Sequence, residues 1–219
     1  MAPLDDTQPT VIVIDDDRDM RDALENLVRS VGLRGRLFAS VHEFLSAGHA
    51  DQPGCLVLDV RLPGRSGLDF HDDLVKANVQ LPVIFISGFA DVPMSVRALK
   101  AGAVEFLTKP FRQQDLLEAI QLAVERDRAR RERESAIAGL RSSYDTLSPR
   151  ESEVMLLVAA GRLNKQIAGE LGLTEATVKV HRSQAMRKMD ARSVADLVRI
   201  ADKLGLAPNT AIKAAAMLK

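Results

Sequence analysis

The stretch VIVIDDD at 11–17 runs from apolar residues into three consecutive aspartates, Asp15, Asp16 and Asp17. Adjacent carboxylates repel, so packing gives no reason to place them together. A cation does. Further along, LVLDV carries Asp59 near its end, PVIFISG ends in Ser87 and Gly88, and AVEFLTKPF holds Lys109 before Pro110. Three carboxylates in one place call for a hard cation. Mg2+ suits them, because it takes one or two carboxylates, keeps waters and completes its octahedron with phosphate oxygens. A carboxylate is also a nucleophile toward phosphorus, giving an acyl phosphate. Such a transfer needs the charge on the equatorial oxygens neutralised. Mg2+ does part of that, and the Lys109 ammonium does more as a point charge. The Ser87 hydroxyl and Gly88 amide are placed to hold another oxygen. The plain alternative is that Asp16 and Asp59 cap helices or open turns, as aspartate often does. Asp17 is read structurally, as a helix-start residue whose charge favours the helix dipole.

These residues converge only if particular elements carry them. The first half alternates apolar runs at 11–14, 37–39, 55–58, 82–86 and 104–107 with segments of helical period. Met20, Leu24, Leu27, Val28 and Val31 mark one helix face. Ser40 to Glu43 reads as a capping box opening a helix after the second strand, and Gly102 sits where a later helix should stop. Five βα units imply a parallel sheet with helices on both faces. In such sheets, ligands collect at the carboxyl ends of the strands, beside the point where strand order reverses. With a flavodoxin-like order 2-1-3-4-5, the first and third strands are neighbours. Asp15, Asp16 and Asp59 then share one shallow pocket with Ser87 and Lys109 on its rim.

The net charge of zero conceals a division. Residues 1–125 hold 12 Lys+Arg against 19 Asp+Glu, and residues 126–219 hold 18 against 11. An acidic half followed by a basic half predicts two domains with different partners, the second a polyanion. The 219 residues suffice for two cores. No apolar run is long enough to span a bilayer, and no signal-peptide pattern opens the chain. The single cysteine, Cys55, fits a reducing cytoplasm and reads as a small buried hydrophobe. From Gln113 a helical pattern continues through ERDRARRERESAIAGLRSS without proline, and without glycine until Gly139. It predicts one long helix whose charged part, 126–145, is a solvated rod; a flexible charged linker is the competing reading.

Beyond it the chain reads as all helical. Ser148-Pro149-Arg150-Glu151 combines an N-cap, proline at the first helical position and a capping-box glutamate. That helix runs to about 161. Others cover about 165–171, from Glu175 onward, and 193–203, and the tail to 219 is either helical or frayed. Winding the helix after Glu175 at roughly 100° per residue puts Val178, Ala185 and Met189 on one side. Lys179, Ser183 and Arg187 fall on the other, with Val180 and Gln184 beside them. An apolar back and a basic, hydrogen-bonding front suit the DNA major groove. The alternative is a solvated helix with ordinary surface cations. His181 reads as half-buried support.

At this point the residues carry a resemblance. VIVIDDD, LVLDVRLPGRSGLDF, PVIFISG and AVEFLTKPF together resemble the receiver domain of two-component response regulators of the NarL/FixJ group, over about 9–125. LSPRESEVMLLVAAGRLNKQIAGELGLTEATVKVHRSQAMRKM resembles the LuxR-type helix-turn-helix, over about 146–205. The domains implied are a receiver at 1–125, a linker helix at 126–145 and a DNA-binding domain at 146–219. The resemblance makes Asp59 the phosphoacceptor of a partner histidine kinase and Asp15 and Asp16 the metal-binding pair for Mg2+. The Arg61 main-chain carbonyl becomes the remaining protein ligand. Ser87 and Phe106 match the switch residues and Lys109 the phosphate-binding lysine, whose bond to Pro110 is cis in the family. Thr177 to Lys188 belong to the recognition helix, with Lys165 a phosphate contact. Ser183 stands where several members carry lysine. FADVPMSVRALKAGAVEFLTKPF implies dimerisation on phosphorylation through the fourth helix and fifth strand, with Val92, Val96 and Arg97 on that face. Two other classes are DNA binding without phosphorylation and a haloacid-dehalogenase-type enzyme. The second class usually shows D-x-D, whereas Asp59 is followed by Val60-Arg61.

Overall fold

Five short apolar runs, each followed by a helical segment long enough to carry the chain back, can pair only in parallel. The computed structural model describes residues 8–48, 53–89 and 91–206. Its first unit runs β1 (Thr10–Ile14), α1 (Arg18–Ser30), β2 (Arg34–Phe38), α2 (Val41–Ala47), β3 (Gly54–Asp59), β4 (Arg61–Leu62), β5 (Arg65–Ser66), α3 (Gly67–Lys76), β6 (Val83–Ser87), α4 (Val92–Lys100), β7 (Glu105–Thr108) and α5 (Gln113–Asp145). The main sheet is parallel in the order β2-β1-β3-β6-β7, the expected flavodoxin-like arrangement. The antiparallel pair β4–β5 was not expected; two residues per strand show no period.

Both faces of the sheet are covered, and side-chain alternation sorts them. Ile12, Ile14, Leu56 and Leu58 pack with Phe44, Phe70 and Leu74 of α2 and α3. Val11, Val13, Cys55 and Val57 pack with Leu24 and Val28 of α1 and with Leu116, Ile120 and Val124 of α5. Val31, placed by periodicity on the α1 face, is instead the C-cap and is largely exposed. The Ser40 hydroxyl accepts from the Glu43 N–H, while the Glu43 carboxylate reaches back to Ala39.

α5 is one helix of 33 residues. Its charged part is not wholly solvated. Asp127 is fully buried, and the first compact unit extends to Arg131, with the second beginning at Glu132. Asp127 continues the buried stripe of Leu116, Ala119, Ile120, Ala123 and Val124.

The second unit holds α6 (Pro149–Ala159), α7 (Asn164–Leu171), α8 (Glu175–Lys188) and α9 (Val194–Lys203). Their core gathers Val154, Met155, Val158, Ile167, Val178, Ala185, Met189 and Leu197. The Ser148–Glu151 capping box forms in both directions. Gly172, in the left-handed region at φ 66°, turns α7 toward α8. The tail expected at 207–219 lies outside the described residues.

Candidate functional site

The register Ile14↔Leu58 brings the ends of β1 and β3 side by side, so Asp15 and Asp59 emerge as neighbours. Both are buried, while Asp16 is exposed. Their carboxylates and that of Asp16 offer oxygens within 4.8 Å of one another. Backbone amides hold two of them: the Asp17 N–H donates to Asp15 Oδ1 and the Arg61 N–H to Asp59 Oδ1, each at 2.9 Å. Lys109, just past β7, places Nζ 2.7 Å from Asp15 Oδ2 and 2.6 Å from Asp59 Oδ2. Its N–H donates to the Ser87 carbonyl, which ties it to the end of β6. The Lys109–Pro110 bond is cis.

The electrostatics follow from burial. Loss of water raises the Asp15 carboxyl above its ordinary pKa, and the Asp59 charge adds to this against the pull of Lys109 and the Asp17 amide. Burial also pulls Lys109 down, but the two carboxylates outweigh it and hold the ammonium above its usual range. Asp15 is thus a carboxylate with less compensation than its burial demands, in a pocket already holding one cationic side chain.

Ser87 is fully buried; its hydroxyl donates to the Phe89 carbonyl at 2.8 Å. Gly88 is exposed beside it. Phe106 is half-buried, its ring tilted against Phe85 at 6.2 Å. Asp17 caps α1, accepting from the amides of Asp19 and Met20, as a helix-start residue should. Three further contacts shape the pocket. The Arg21 guanidinium donates to the Asp15 carbonyl at 2.7 Å. The Arg61 guanidinium lies 4.3 Å over the exposed Phe89 ring. A Cβ on Gly67 would meet the Asp59 carbonyl at 2.2 Å, so only glycine lets α3 start so close to the pocket.

On α4, Val92 and Val96 are exposed, at 76% and 42%. Arg97 is exposed as well, and its guanidinium pairs with Asp69 and Asp72 of α3.

In the second unit α8 presents Lys179, Val180, Ser183 and Arg187 to solvent, with Gln184 half-buried and Val178 and Ala185 inward. Lys165 is exposed at the start of α7. The Thr177 hydroxyl is 2.8 Å from that of Thr174, the N-cap residue. His181 is half-buried. Lys188 is half-buried on α8, its ammonium 2.6 Å from the buried Glu151 carboxylate and 3.0 Å from the Thr146 carbonyl.

Fold and site together define the class: a doubly wound receiver-type unit with an acidic pocket and lysine, joined to a helix-turn-helix unit. Comparison with known proteins agrees. Residues 11–121 match the response regulator receiver domain, and residues 145–201 match the bacterial regulatory proteins of the luxR family. Nodulation protein W of Bradyrhizobium diazoefficiens is 54% identical over 203 residues, 93% of this chain and 89% of that protein. The solved structure of response regulator StyR is 44% identical with a TM-score of 0.81, over 90% of this chain and 100% of that one. Full-length FixJ from B. japonicum is 37% identical with a TM-score of 0.55, over 91% and 98%. The chain belongs to the NarL/FixJ family of two-component response regulators and is a DNA-binding regulator of transcription. No helix among the described residues is long and apolar enough to cross a membrane.

Proposed function

We propose that this regulator is switched by phosphorylation of Asp59 by a partner histidine kinase and that the phosphorylated form binds DNA as a homodimer. The observation that carries this reading is the Lys109 ammonium bridging Asp15 and Asp59, with Asp16 beside them. A pocket that draws in a lysine to serve two buried carboxylates fits a further cation. Asp15, Asp16, Asp59 and the Arg61 carbonyl would hold Mg2+, which when bound neutralises charge on a phosphoryl group. Asp59 Oδ2 acts as nucleophile: it forms the new bond to phosphorus as the bond to the kinase histidine nitrogen breaks. Lys109 then trades its Asp59 contact for a phosphoryl oxygen. The Ser87 hydroxyl turns from the Phe89 carbonyl to another, beside the Gly88 amide, and Phe106 moves inward. The protein is a switch that keeps the group, not an enzyme that turns it over. The exposed Val92 and Val96 of α4 form the dimer face, pairing two α8 helices on adjacent half-sites. There Lys179, Arg187 and Lys165 meet phosphates or guanine edges, Ser183, Gln184 and Thr177 hydrogen-bond, and Val180 touches a thymine methyl.

Acetyl phosphate with Mg2+, read by intact mass, tests this. Wild type gains one phosphoryl group, becomes dimeric and binds DNA more tightly, and Asp59→Asn does none of these. An Asp59→Asn protein that dimerised and bound DNA as phosphorylated wild type does would refute the mechanism.

A further inference from the structure

α5 buries Leu116, Ala119, Ile120, Ala123 and Val124 against the sheet, and then, at the next position of the same stripe, Asp127. Helical spacing puts an apolar side chain there. Instead a fully buried carboxylate accepts from three donors: the Gly54 N–H at 3.0 Å, Arg130 Nη2 at 2.6 Å and Arg131 Nε at 2.8 Å. The two arginines lie on α5 itself and neutralise the charge from the same helix. Gly54 is the tie. It opens β3, the central strand, 73 residues earlier in the chain. The β3–β6 ladder starts one step later, where the Leu56 N–H donates to the Pro82 carbonyl. Asp127 therefore takes the place of a strand carbonyl at the amino edge of the sheet. Close approach is also required here, since a Cβ on Gly54 would lie 2.0 Å from the Thr10 carbonyl.

An apolar residue at this position would tolerate a slip of α5 by about one turn, which returns the same stripe to the sheet, because hydrophobic contact has no direction. A carboxylate would not. Sliding α5 by one turn moves it about 5.4 Å along the sheet. That strands a buried charge away from the Gly54 amide, and an uncompensated buried charge is strongly unfavourable. The lock sits four residues before Arg131, where the first compact unit ends while α5 continues to Asp145.

We propose that Asp127 is a positioning residue: it fixes the register of α5 on the receiver sheet, and through this continuous helix it couples the state of the receiver to the DNA-binding unit. The coupling half rests on the phosphorylation reading above; the register half does not.

The test uses the full chain with Asp127→Leu and Asp127→Asn. Leucine suits the apolar stripe, and replacing a buried ion pair by a well-packed hydrophobe is often neutral for stability. Asp127→Leu should unfold near the wild-type midpoint and load Asp59 fully by mass. Its phosphorylation-dependent gain in DNA affinity should nevertheless shrink by roughly tenfold, within the usual range of coupling energies. Amide exchange at Gly54 and across 126–131 should accelerate by at least about tenfold. Asp127→Asn keeps an acceptor for Gly54 but loses the charge, and should lie between. Should the buried variants misfold, amide exchange in wild type still decides the register lock: protection at Gly54 equal to that of the interior of β3 supports it, and protection no greater than that of fraying strand ends overturns it. Full loading with wild-type coupling in Asp127→Leu would overturn the coupling role. Unchanged exchange at Gly54 would overturn the register lock. Wild type that takes no phosphoryl group would sink the reading of the Asp59 pocket, and the coupling half with it, while exchange still decides the register lock.

Discussion

Asp15 stands where function and stability pull apart, and Asp15→Asn measures the conflict. The substitution keeps the shape and keeps an oxygen to accept from the Asp17 amide. It removes an attraction to Lys109 at 2.7 Å, worth about 6 kcal/mol at an effective dielectric of 20. It also relieves repulsion from Asp59 within 4.8 Å, about 3.5 kcal/mol on the same scale. The burial penalty of a fully buried carboxylate, several kcal/mol, is relieved as well. With the burial penalty at about 4 kcal/mol, the favourable changes exceed the loss by about 1–2 kcal/mol, in keeping with the raised Asp15 pKa, which says that folding favours the neutral form relative to the unfolded chain. A carboxyl whose folded pKa lies above its unfolded value binds more protons in the native state, so its contribution to stability falls as pH rises through that interval. The variant should therefore match wild type in acid below the unfolded value of 3.8, gain its advantage as pH rises from there to the raised folded value, and keep it in full above. At neutral pH with EDTA, the urea midpoint of the receiver unit should rise by about 0.5–1 M. Saturating Mg2+ should erase the difference, since the divalent cation stabilises only wild type appreciably. A variant less stable than wild type in EDTA at neutral pH, or an advantage independent of pH, would refute the reasoning.

Two further outcomes follow from other groups. Burial, with the Asp127 charge added, pushes the Cys55 thiol up to about 12 from 9.0, so at a given neutral pH its thiolate is about a thousandfold scarcer than that of an ordinary thiol; iodoacetamide should label it only after unfolding, and rapid native labelling would contradict its placement. Lys179→Ala and Arg187→Ala should each lower the salt slope of DNA binding by about one, whereas Lys188→Ala should leave the slope alone and weaken the second unit's fold. For Lys188 the cause is Glu151, whose pKa is lowered first by the Lys188 ammonium and then by the Ser148 amide, so this stabilisation is present above the unfolded value and is lost as pH falls through the folded one. Urea melts over an acid pH series, with a salt series of anisotropy titrations, would expose an equal slope loss in all three variants.

What could be read from the sequence, and what could not, separates by the range of the signal. Each strand of the main sheet showed itself as a local run, and the pocket residues sit at strand ends, so their convergence followed from strand order alone. Asp127 was hidden because, along the chain, it is one more charge in a charged segment, and only Gly54 explains its burial. Lys188 and Arg97 carry contacts hidden in the same way. Each lies on a face that suits an outside partner, and its partners within the fold, Glu151 in one case and Asp69 and Asp72 in the other, lie far off in sequence. Charged side chains announce what they can bind; which partner wins is set by tertiary proximity.

The two fully buried aspartates of the receiver unit make the same point from opposite edges of one sheet. Asp15 follows the carboxyl end of β1, and Asp127 meets the amino end of β3. Asp15 is under-compensated, so any cation or phosphoryl group that alters its pocket finds free energy available there. Asp127 has three donors, two of them cationic, and nothing is gained by moving it. A switch needs both kinds of charge. Were Asp15 satisfied as fully as Asp127, new ligands at the pocket would bias little. Were Asp127 as loosely held as Asp15, a change at the pocket could be absorbed by a slip of α5 before it travelled along the helix. Asp15→Asn, which satisfies the first, should give a stable receiver that Mg2+ no longer stabilises, and Asp127→Leu, which frees the second, a receiver that loads and does not transmit.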